Sequence, residues 1–236
     1  MKIHLNLKNL AFSCSLLSVL TTGCKRENIS VDNPPAANSK AHTEATSLPN
    51  PGFESWNGNQ PLSWNLSASG SARATGGHSG QYAAQIWNWY YYVKGFLTNG
   101  NVFNAMPGYD YNNTGGIAVS ERPAALTGYY KYEPGSNDGK KDSAIAIIAL
   151  RKYNAATRKS EKVAYTEVSL GPSSQYKLFR IPVSYASSVV PDSLVVTFIS
   201  SRNGFCSGAS NGNCLYLTLD DLALECSSGK KEIAVK

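Results

Sequence analysis

The chain has 236 residues, of which 42% are hydrophobic, and a formal net charge of +6. A chain of this length buries one substantial core, so we expect a single folded domain. Fourteen Tyr and four Trp against two Met are typical of a β-rich protein. The basic pairs Lys140–Lys141, Arg158–Lys159 and Lys230–Lys231 are scattered through predicted turns and the tail. We therefore expect no nucleic-acid partner, because such a footprint needs cations clustered on one face.

Residues 1–23 are built like an export signal. Lys2 and Lys8 precede an apolar run without acidic residues, and small residues lead into Cys24. The run is too short and too interrupted by Ser and Thr to predict a membrane-spanning helix. Its Gly-Cys end resembles the lipobox of bacterial lipoproteins, with Thr21 where that pattern prefers Leu. The resemblance implies that the Cys24 thiol is acylated and anchors the protein to a membrane. An ordinary signal peptide cut nearby is the alternative.

A polar segment follows the signal. Residues 24–47 contain a Pro-Pro pair and almost no large apolar side chains. They cannot bury enough surface to offset their chain entropy, so we expect a disordered tether. Lys25 rather than Asp follows Cys24, so the segment lacks resemblance to inner-membrane retention signals. We therefore expect an outer-membrane lipoprotein that faces either the periplasm or the cell surface.

Residues 48–226 carry the folded domain. Short runs rich in Val, Ile, Tyr and Thr alternate there with clusters of Gly, Asn, Pro and Ser, and no long window keeps a helical period. Many short strands at this spacing are typical of an all-β sandwich of two antiparallel sheets. Residues 227–236 are polar and predict a tail.

Two hairpins and one further strand stand out within this domain. Residues 143–153 and 162–170 flank a polar turn and predict a hairpin. Residues 176–185 alternate apolar and polar side chains, which indicates a strand. Residues 192–201 and 214–225 predict a second hairpin, on the same grounds as the first.

Three cysteines lie within the folded domain. Cys214 and Cys226 bracket a predicted strand, whose residue steps of roughly 3.3 Å place them about 40 Å apart, whereas a disulfide needs Cα atoms within about 7 Å. Cys206 and Cys214 share a loop rich in Gly, Ser and Asn, and export favours their oxidation. We predict a Cys206–Cys214 disulfide and a free Cys226.

Six segments follow one another in an order that matches a known family. They are "NPGFESW", "GGHSGQYAAQI", "LTGYYKYEP", "FRIPVSY", "PDSLVVTFISS" and "LYLTLDDLALE". Over residues 48–226 this order resembles the carbohydrate metabolism domain family of Gram-negative surface lipoproteins, which is itself similar to jelly-roll carbohydrate-binding modules. The resemblance implies a jelly-roll β-sandwich and a role near glycans. It implies the fold most firmly, because a β-sandwich hosts many functions.

In similar jelly-roll modules, a carboxylate from the first strand and one from the last bind a structural calcium ion. The resemblance implies this role for Glu54 and Asp220, with oxygens from the turn that contains Asn50 and Gly52. Period-two alternation places Asp220 on the face of the leucines that follow it, so a buried carboxylate that needs a cation or hydrogen-bond donors is expected. The alternative is that Glu54 caps backbone amides and Asp220 closes a turn, with no ion.

The segment "QIWNWYYYVKGF", residues 85–96, is rich in aromatic side chains. If it continues a strand, Trp87, Trp89 and Tyr91 share one face. Flat rings beside amides suit sugars, because C–H patches of the sugar stack on the rings and hydroxyls bind the amides. We predict a glycan platform formed by Trp87, Trp89, Tyr91, Asn88, Tyr109 and Tyr111. The alternative is that these rings fill the core.

No catalytic constellation is visible in the sequence. His78 in "GGHSG" reads as a turn residue, because the spacing of a nucleophile elbow is absent, and no zinc motif or phosphate loop occurs. Carboxylates are available, but the sequence gives no pairing for glycoside hydrolysis. We therefore expect a non-catalytic, membrane-anchored glycan-binding protein that acts in polysaccharide capture or attachment. The alternatives are a structural or adhesive lipoprotein that binds a protein partner, and a glycoside hydrolase.

Overall fold

A computed structural model describes residues 47–89, 93–101, 115–134, 142–204 and 214–226. These ranges contain thirteen strands and no helix, hence none that could cross a membrane. The strands are β1 (Trp56–Asn57), β2 (Gln60–Pro61), β3 (Asn65–Leu66), β4 (Ser71–Thr75), β5 (Tyr82–Asn88), β6 (Phe96–Thr98), β7 (Ile117–Ala118), β8 (Pro123–Glu133), β9 (Ala144–Asn154), β10 (Lys159–Leu170), β11 (Ser173–Pro182), β12 (Ser193–Ile199) and β13 (Cys214–Cys226).

Two large antiparallel sheets are built from these strands. The five-stranded sheet has the order β11-β8-β13-β5-β4, and the six-stranded sheet has the order β10-β9-β12-β6-β3, with β7 also pairing with β12. β1 and β2 form a small separate sheet. The inner faces of the two large sheets share one hydrophobic core. This arrangement confirms the predicted all-β, jelly-roll-type sandwich.

Alternation along the strands fills the space between the sheets. In β8, Leu126, Tyr130 and Tyr132 point inward and are buried. Phe179 of β11 meets Phe198 of β12 edge to face across the interface, with ring centroids 5.9 Å apart. Burying each large apolar side chain contributes about 1.5–3 kcal/mol. The core therefore fixes the register of the strands, and with it the residues that the five-stranded sheet presents on its outer face.

β13 changes face at Asp221. Its register with β8 shifts by one residue between Asp220 and Ala223, and Asp221 has a φ of 48°, in the left-handed region. Leu219 before this bulge and Leu222 after it are both buried in the core, although an uninterrupted strand would place them on opposite faces. The expectation that Asp220 shares the face of the following leucines is wrong, because the extra residue leaves Asp220 on the outer side of the sheet.

The first predicted hairpin is confirmed. β9 and β10 pair from Asn154 opposite Lys159 to Ala144 opposite Leu170. The strand predicted at residues 176–185 corresponds to β11. The second predicted hairpin is wrong, because β12 belongs to the six-stranded sheet and β13 to the five-stranded sheet. Periodicity indicates that both segments are strands, but it does not indicate which sheet each one joins.

Cys214 and Cys226 begin and end β13. A strand of this length separates them by far more than one disulfide spans, so they are not bonded to each other, as expected. The Cys206–Cys214 disulfide stays a prediction, because Cys206 lies outside the described residues. The predicted signal with Cys24, the tether and the tail lie outside them as well.

Candidate functional site

The outer face of the five-stranded sheet carries the residues that alternate with its core side chains. In β8 these outer residues are Tyr129, Lys131 and Glu133. Thr218 of β13 lies opposite Lys131 on one side and opposite Gln85 of β5 on the other. Directly opposite residues of paired strands share a face. Gln85, Thr218 and Lys131 therefore form one polar row across three neighbouring strands.

An aromatic cluster lies beside this polar row. Trp87 and Tyr216 stand two residues from Gln85 and Thr218 along their strands, and so lie on the same outer face. The centroids of the Trp87 and Tyr216 rings are 5.5 Å apart, and the ring planes are tilted by 31°. Trp89, two residues beyond Trp87, is 44% exposed. We call Trp87, Trp89 and Tyr216 the aromatic face.

The polar row supplies hydrogen-bonding groups next to these rings. Gln85 Nε2 donates to Thr218 Oγ1 at 3.0 Å, which orients the amide. Lys131 Nζ lies 4.4 Å from the centroid of the Tyr176 ring, a cation–π contact that holds the ammonium over β11. An amide, a hydroxyl and an ammonium thus flank the aromatic face. This combination of flat rings with a few oriented polar groups suits a ligand rich in hydroxyls.

The predicted platform residues divide into three groups. Trp87 and Trp89 belong to the outer face, as the alternation predicts. The prediction that Asn88 belongs to the platform is wrong, because Asn88 is fully buried between the sheets, where Ser200 Oγ donates to its Oδ1 at 2.6 Å. Alternation turns Asn88 to the side of Ile86, so its side chain cannot reach a ligand on the outer face. Tyr91, Tyr109 and Tyr111 lie outside the described residues.

The sequence alone does not predict that Tyr216, Lys131 or Tyr176 lie on the outer face of the five-stranded sheet. Each belongs to a different strand, and none is near Trp87 in the sequence. They meet because of strand order and register, which depend on pairings between distant segments. The one available signal is the alternation in "LYLTL", which places Tyr216 and Thr218 opposite the leucines.

A loop at residues 76–82 covers one end of the outer face. Asp220 belongs to this face and yet has no exposed surface. Its Oδ2 accepts hydrogen bonds from the backbone N–H groups of His78 at 2.6 Å and Ser79 at 3.3 Å. Gly77 permits this approach, because a Cβ at that position would lie 2.7 Å from Asp220 Oδ2. The loop is therefore fastened to β13 through a buried carboxylate.

His78 closes the loop over the sheet. Its Nδ1 lies 2.7 Å from Asp221 Oδ2, and its ring stacks on Tyr129 with centroids 3.5 Å apart. Tyr176 meets the same imidazole edge to face, with centroids 5.6 Å apart. Three aromatic rings are thus packed beside the polar row. The loop forms a wall on the side of that row away from the aromatic face.

Burial, and to a smaller extent the nearby Asp221 carboxylate, raise the pKa of Asp220 to about 6. Hydrogen bonds from the N–H groups of Asp221, His78 and Ser79 act in the opposite direction, because they stabilise the charged form. Desolvation has the larger effect on the pKa.

Glu54 holds the same loop from the other side. Its Oε1 accepts the N–H groups of Gln81 and Tyr82, each at 2.9 Å. Glu54 is exposed and precedes β1, so it does not belong to the first strand as the resemblance implies; the ring of its neighbour Phe53 is buried. The contacts correspond to the capping of backbone amides. Glu54 and Asp220 together fasten residues 76–82 to both ends of the domain sequence.

The remaining members of the implied calcium set lie in the turn before Glu54. The Asn50 side chain closes this turn, since its Oδ1 accepts the Ser55 N–H at 3.1 Å and its Nδ2 donates to the Ser55 carbonyl at 2.8 Å. Gly52 approaches β13, because a Cβ there would lie 3.3 Å from Asp221 Oδ1. The first turn and the last strand are therefore neighbours, as the resemblance implies.

Both Asp220 oxygens and Glu54 Oε1 accept backbone N–H groups, whose positive ends repel a cation. As placed, they do not fit a calcium site, which needs 6 to 8 oxygen ligands turned toward one point. The described part of the chain also contains no group of three or more His, Cys, Asp or Glu side chains that could hold a metal ion. Calcium remains a prediction of the resemblance, which the geometry of these residues does not support.

No family model and no curated protein matches the sequence. One similar solved structure is TmCBM61 in complex with beta-1,4-galactotriose, at 14% identity and a TM-score of 0.42, with 76% of this chain and 97% of that chain covered. A second is the family 11 carbohydrate-binding module from Clostridium thermocellum in complex with a beta-1,3-1,4-mixed-linked tetrasaccharide, at 14% identity and a TM-score of 0.38, with 76% of this chain and 94% of that chain covered. A third is the K3 cleaved adhesin domain of Lys-gingipain from Porphyromonas gingivalis w83, at 12% identity and a TM-score of 0.38, with 76% of this chain and 98% of that chain covered. At these TM-scores we draw no conclusion about site or ligand from the likeness.

Proposed function

We propose that this protein is a membrane-tethered surface lipoprotein whose β-sandwich binds glycans without catalysis and serves in polysaccharide capture or attachment. The observation that supports the proposal is the aromatic face beside the polar row, on the outer side of the five-stranded sheet. The proposal rests on the residues of this chain and on the chemistry of their side chains.

The aromatic face suits one side of a sugar ring. The C–H groups of a pyranose form apolar patches that stack on indole and phenol rings. Trp89 is 44% exposed, so part of its ring is accessible to a ligand that stacks on it. Trp87 and Tyr216 are only partly exposed and pack against each other, so they form a preordered base beside Trp89. Preordered rings lose little conformational freedom when a ligand stacks on them.

The polar row suits the hydroxyls of the same ligand. Gln85 and Lys131 offer polar groups on the strands next to the rings, whereas Thr218 is only 5% exposed and orients the Gln85 amide. Hydroxyl groups lose their hydration on binding and need such partners, because an unpaired buried polar group is costly. Rings for the C–H patches and polar groups for the hydroxyls together favour a glycan over an apolar ligand.

The proposal is tested first by a glycan array with the mature chain, residues 24–236, carrying Cys24→Ser so that no acyl chain is added. On the glycan that the array selects, Trp89→Ala is expected to weaken retention by roughly tenfold or more, because an exposed stacking ring is lost. The matched control is Tyr153→Ala, which removes a ring that is 54% exposed on the six-stranded sheet. Retention unchanged in Trp89→Ala, or lowered equally in Tyr153→Ala, would contradict the proposal.

Membrane tethering is tested separately. The signal sequence that ends in Gly-Cys supports acylation of Cys24. In the native host, Cys24→Ser should move the protein from the membrane pellet to the soluble fraction after a high-salt wash, which releases proteins held only by charge. Outer-membrane fractions should contain the unaltered protein, and its recovery with the inner membrane would contradict the proposed location.

A further inference from the structure

The tip of the β9–β10 hairpin concentrates the positive charge of the protein. Residues 151–162 contain five cations and one acid, Glu161, a net charge of 5 − 1 = +4 within a chain whose total is +6. The five cations are Arg151, Lys152, Arg158, Lys159 and Lys162. In the sequence they look like two separate groups. The pairing of β9 with β10 brings them together, with Lys162 opposite Arg151 and Lys159 opposite Asn154.

Little of this charge is neutralised within the protein. The Glu161 carboxylate is engaged at the turn, where its Oε1 accepts hydrogen bonds from Asn154 Nδ2 at 2.7 Å and Thr157 Oγ1 at 3.4 Å. Lys152 Nζ lies 3.7 Å from Asp192 Oδ2, a long and exposed pair of small energetic value. In the described ranges, no carboxylate lies within ion-pair distance of Arg158 or Lys159, and both are exposed.

An exposed aromatic ring shares one face of the hairpin with two of these cations. Tyr153 is 54% exposed and shares the outer face of the six-stranded sheet with Arg151. Lys162 lies on the same face, with its Nζ 5.0 Å from the centroid of the Tyr165 ring. Cations around an amphipathic tyrosine are the combination that settles at the boundary between phosphate headgroups and acyl chains.

We propose that this hairpin tip, residues 151–162, is a contact site for a surface that bears anionic phosphate groups, namely the headgroups of an anionic lipid membrane. Clustered Lys and Arg attract such a surface over about one Debye length, roughly 8–10 Å at physiological salt. The 24 residues 24–47 that would connect the domain to an acylated Cys24 span no more than about 80 Å even when fully extended. An acylated Cys24 would thus keep the folded domain within that distance of the headgroups, where the hairpin can encounter them. The hairpin belongs to the six-stranded sheet, so this contact leaves the aromatic face on the other sheet accessible.

The test uses the mature chain, residues 24–236, with Cys24→Ser, so that any binding is independent of acylation. Co-sedimentation is measured with vesicles of phosphatidylglycerol and phosphatidylcholine, and with phosphatidylcholine vesicles alone. We expect binding to the anionic vesicles only, weakened by salt. Lys159→Glu should lower the partition coefficient roughly fivefold or more. The matched control is Lys177→Glu, which makes the same charge change at an exposed residue of β11, and it should have little effect.

Two other results would overturn the proposal. Equal loss of binding in Lys159→Glu and Lys177→Glu would show that net charge, and not the hairpin, attracts the vesicles. A separate arm adds soluble polygalacturonate to the unaltered protein. Binding to that polymer, lost in Lys159→Glu and without any binding to anionic vesicles, would show that the hairpin takes an anionic glycan in place of a lipid surface.

Discussion

The hydroxyl of Tyr132 is buried between the two sheets and makes no hydrogen bond to any residue that the structure describes. Burial without a partner costs free energy, since the group has lost its hydration. The hydroxyl of Tyr185 is the opposite case, because it donates to the Pro123 carbonyl at 2.8 Å. The Tyr185 hydroxyl thus stabilises the folded state, whereas the Tyr132 hydroxyl does not.

Tyr132→Phe is therefore expected to leave the free energy of unfolding unchanged or to raise it by about 1 kcal/mol, whereas Tyr185→Phe should lower it by about 1 kcal/mol. Chemical denaturation of both variants measures the difference directly. A loss of stability in Tyr132→Phe equal to that in Tyr185→Phe would mean that the Tyr132 hydroxyl is satisfied in solution, for instance by an internal water.

The raised pKa of Asp220 predicts that the free energy of unfolding depends on pH. Its pKa is about 6 in the folded protein against an ordinary value of 3.8, because burial disfavours the charged carboxylate. The folded state then binds a proton more tightly than the unfolded state. As the pH rises from about 4 to about 6, this group should lower the free energy of unfolding, by a total on the order of 3 kcal/mol, with no further change above that range.

Denaturation of the unaltered protein and of Asp220→Asn between pH 4 and pH 7, both with chelator present, measures this effect. Asp220→Asn removes a titrating group and should flatten the slope, although it destabilises the fold at every pH because its amide faces N–H donors. Identical slopes in the two proteins would contradict the assignment of the pH dependence to Asp220.

At the scale of elements, the loop at residues 76–82 is held by side chains from two separated parts of the sequence. Glu54 and Asp220 accept four backbone N–H groups from it. Gly80 has a φ of 66°, and a Cβ there would collide with the Glu54 carboxylate. The carboxylates therefore act as caps for a glycine-rich loop, in a region where the resemblance implies calcium.

Because N–H groups occupy these carboxylates, adding chelator to the protein as purified should leave the melting temperature unchanged, with elemental analysis showing that no bound ion remains after the treatment. Re-addition of calcium should have no effect either. A fall of several degrees on chelation, reversed by calcium but not by magnesium, would show instead that the loop rearranges around an ion and that Glu54 and Asp220 bind it.

Sequence periodicity predicts some elements well and others poorly, for physical reasons. The β9–β10 hairpin is predictable, because its strands are adjacent in sequence and joined by a polar turn. The face change at Asp221 is not, since a bulge depends on one residue in the left-handed region and hides within an alternating run. Asn88 is a different case. Alternation already assigns it to the face of Ile86, so the sequence alone could have removed it from the platform.

At the scale of the whole molecule, the sandwich separates two surfaces. The aromatic face belongs to the five-stranded sheet, and the basic hairpin belongs to the six-stranded sheet. The all-β sandwich is predictable from composition and turn spacing. The membership of Tyr216 and Lys131 in the site is not, because it depends on pairings between β5, β13 and β8 that no local pattern records.

The central claim, that the aromatic face binds a glycan, is tested most directly by the four Trp indole N–H signals in a heteronuclear NMR titration. Trp→Phe variants assign the signals, and the ligand is the glycan selected by the array. We predict that the Trp87 and Trp89 signals shift with saturation. The signals of Trp64, buried in the core, and Trp56, in strand β1 of the small sheet, should stay in place. Saturable binding that shifts Trp56, or that leaves both Trp87 and Trp89 unmoved, would contradict the claim.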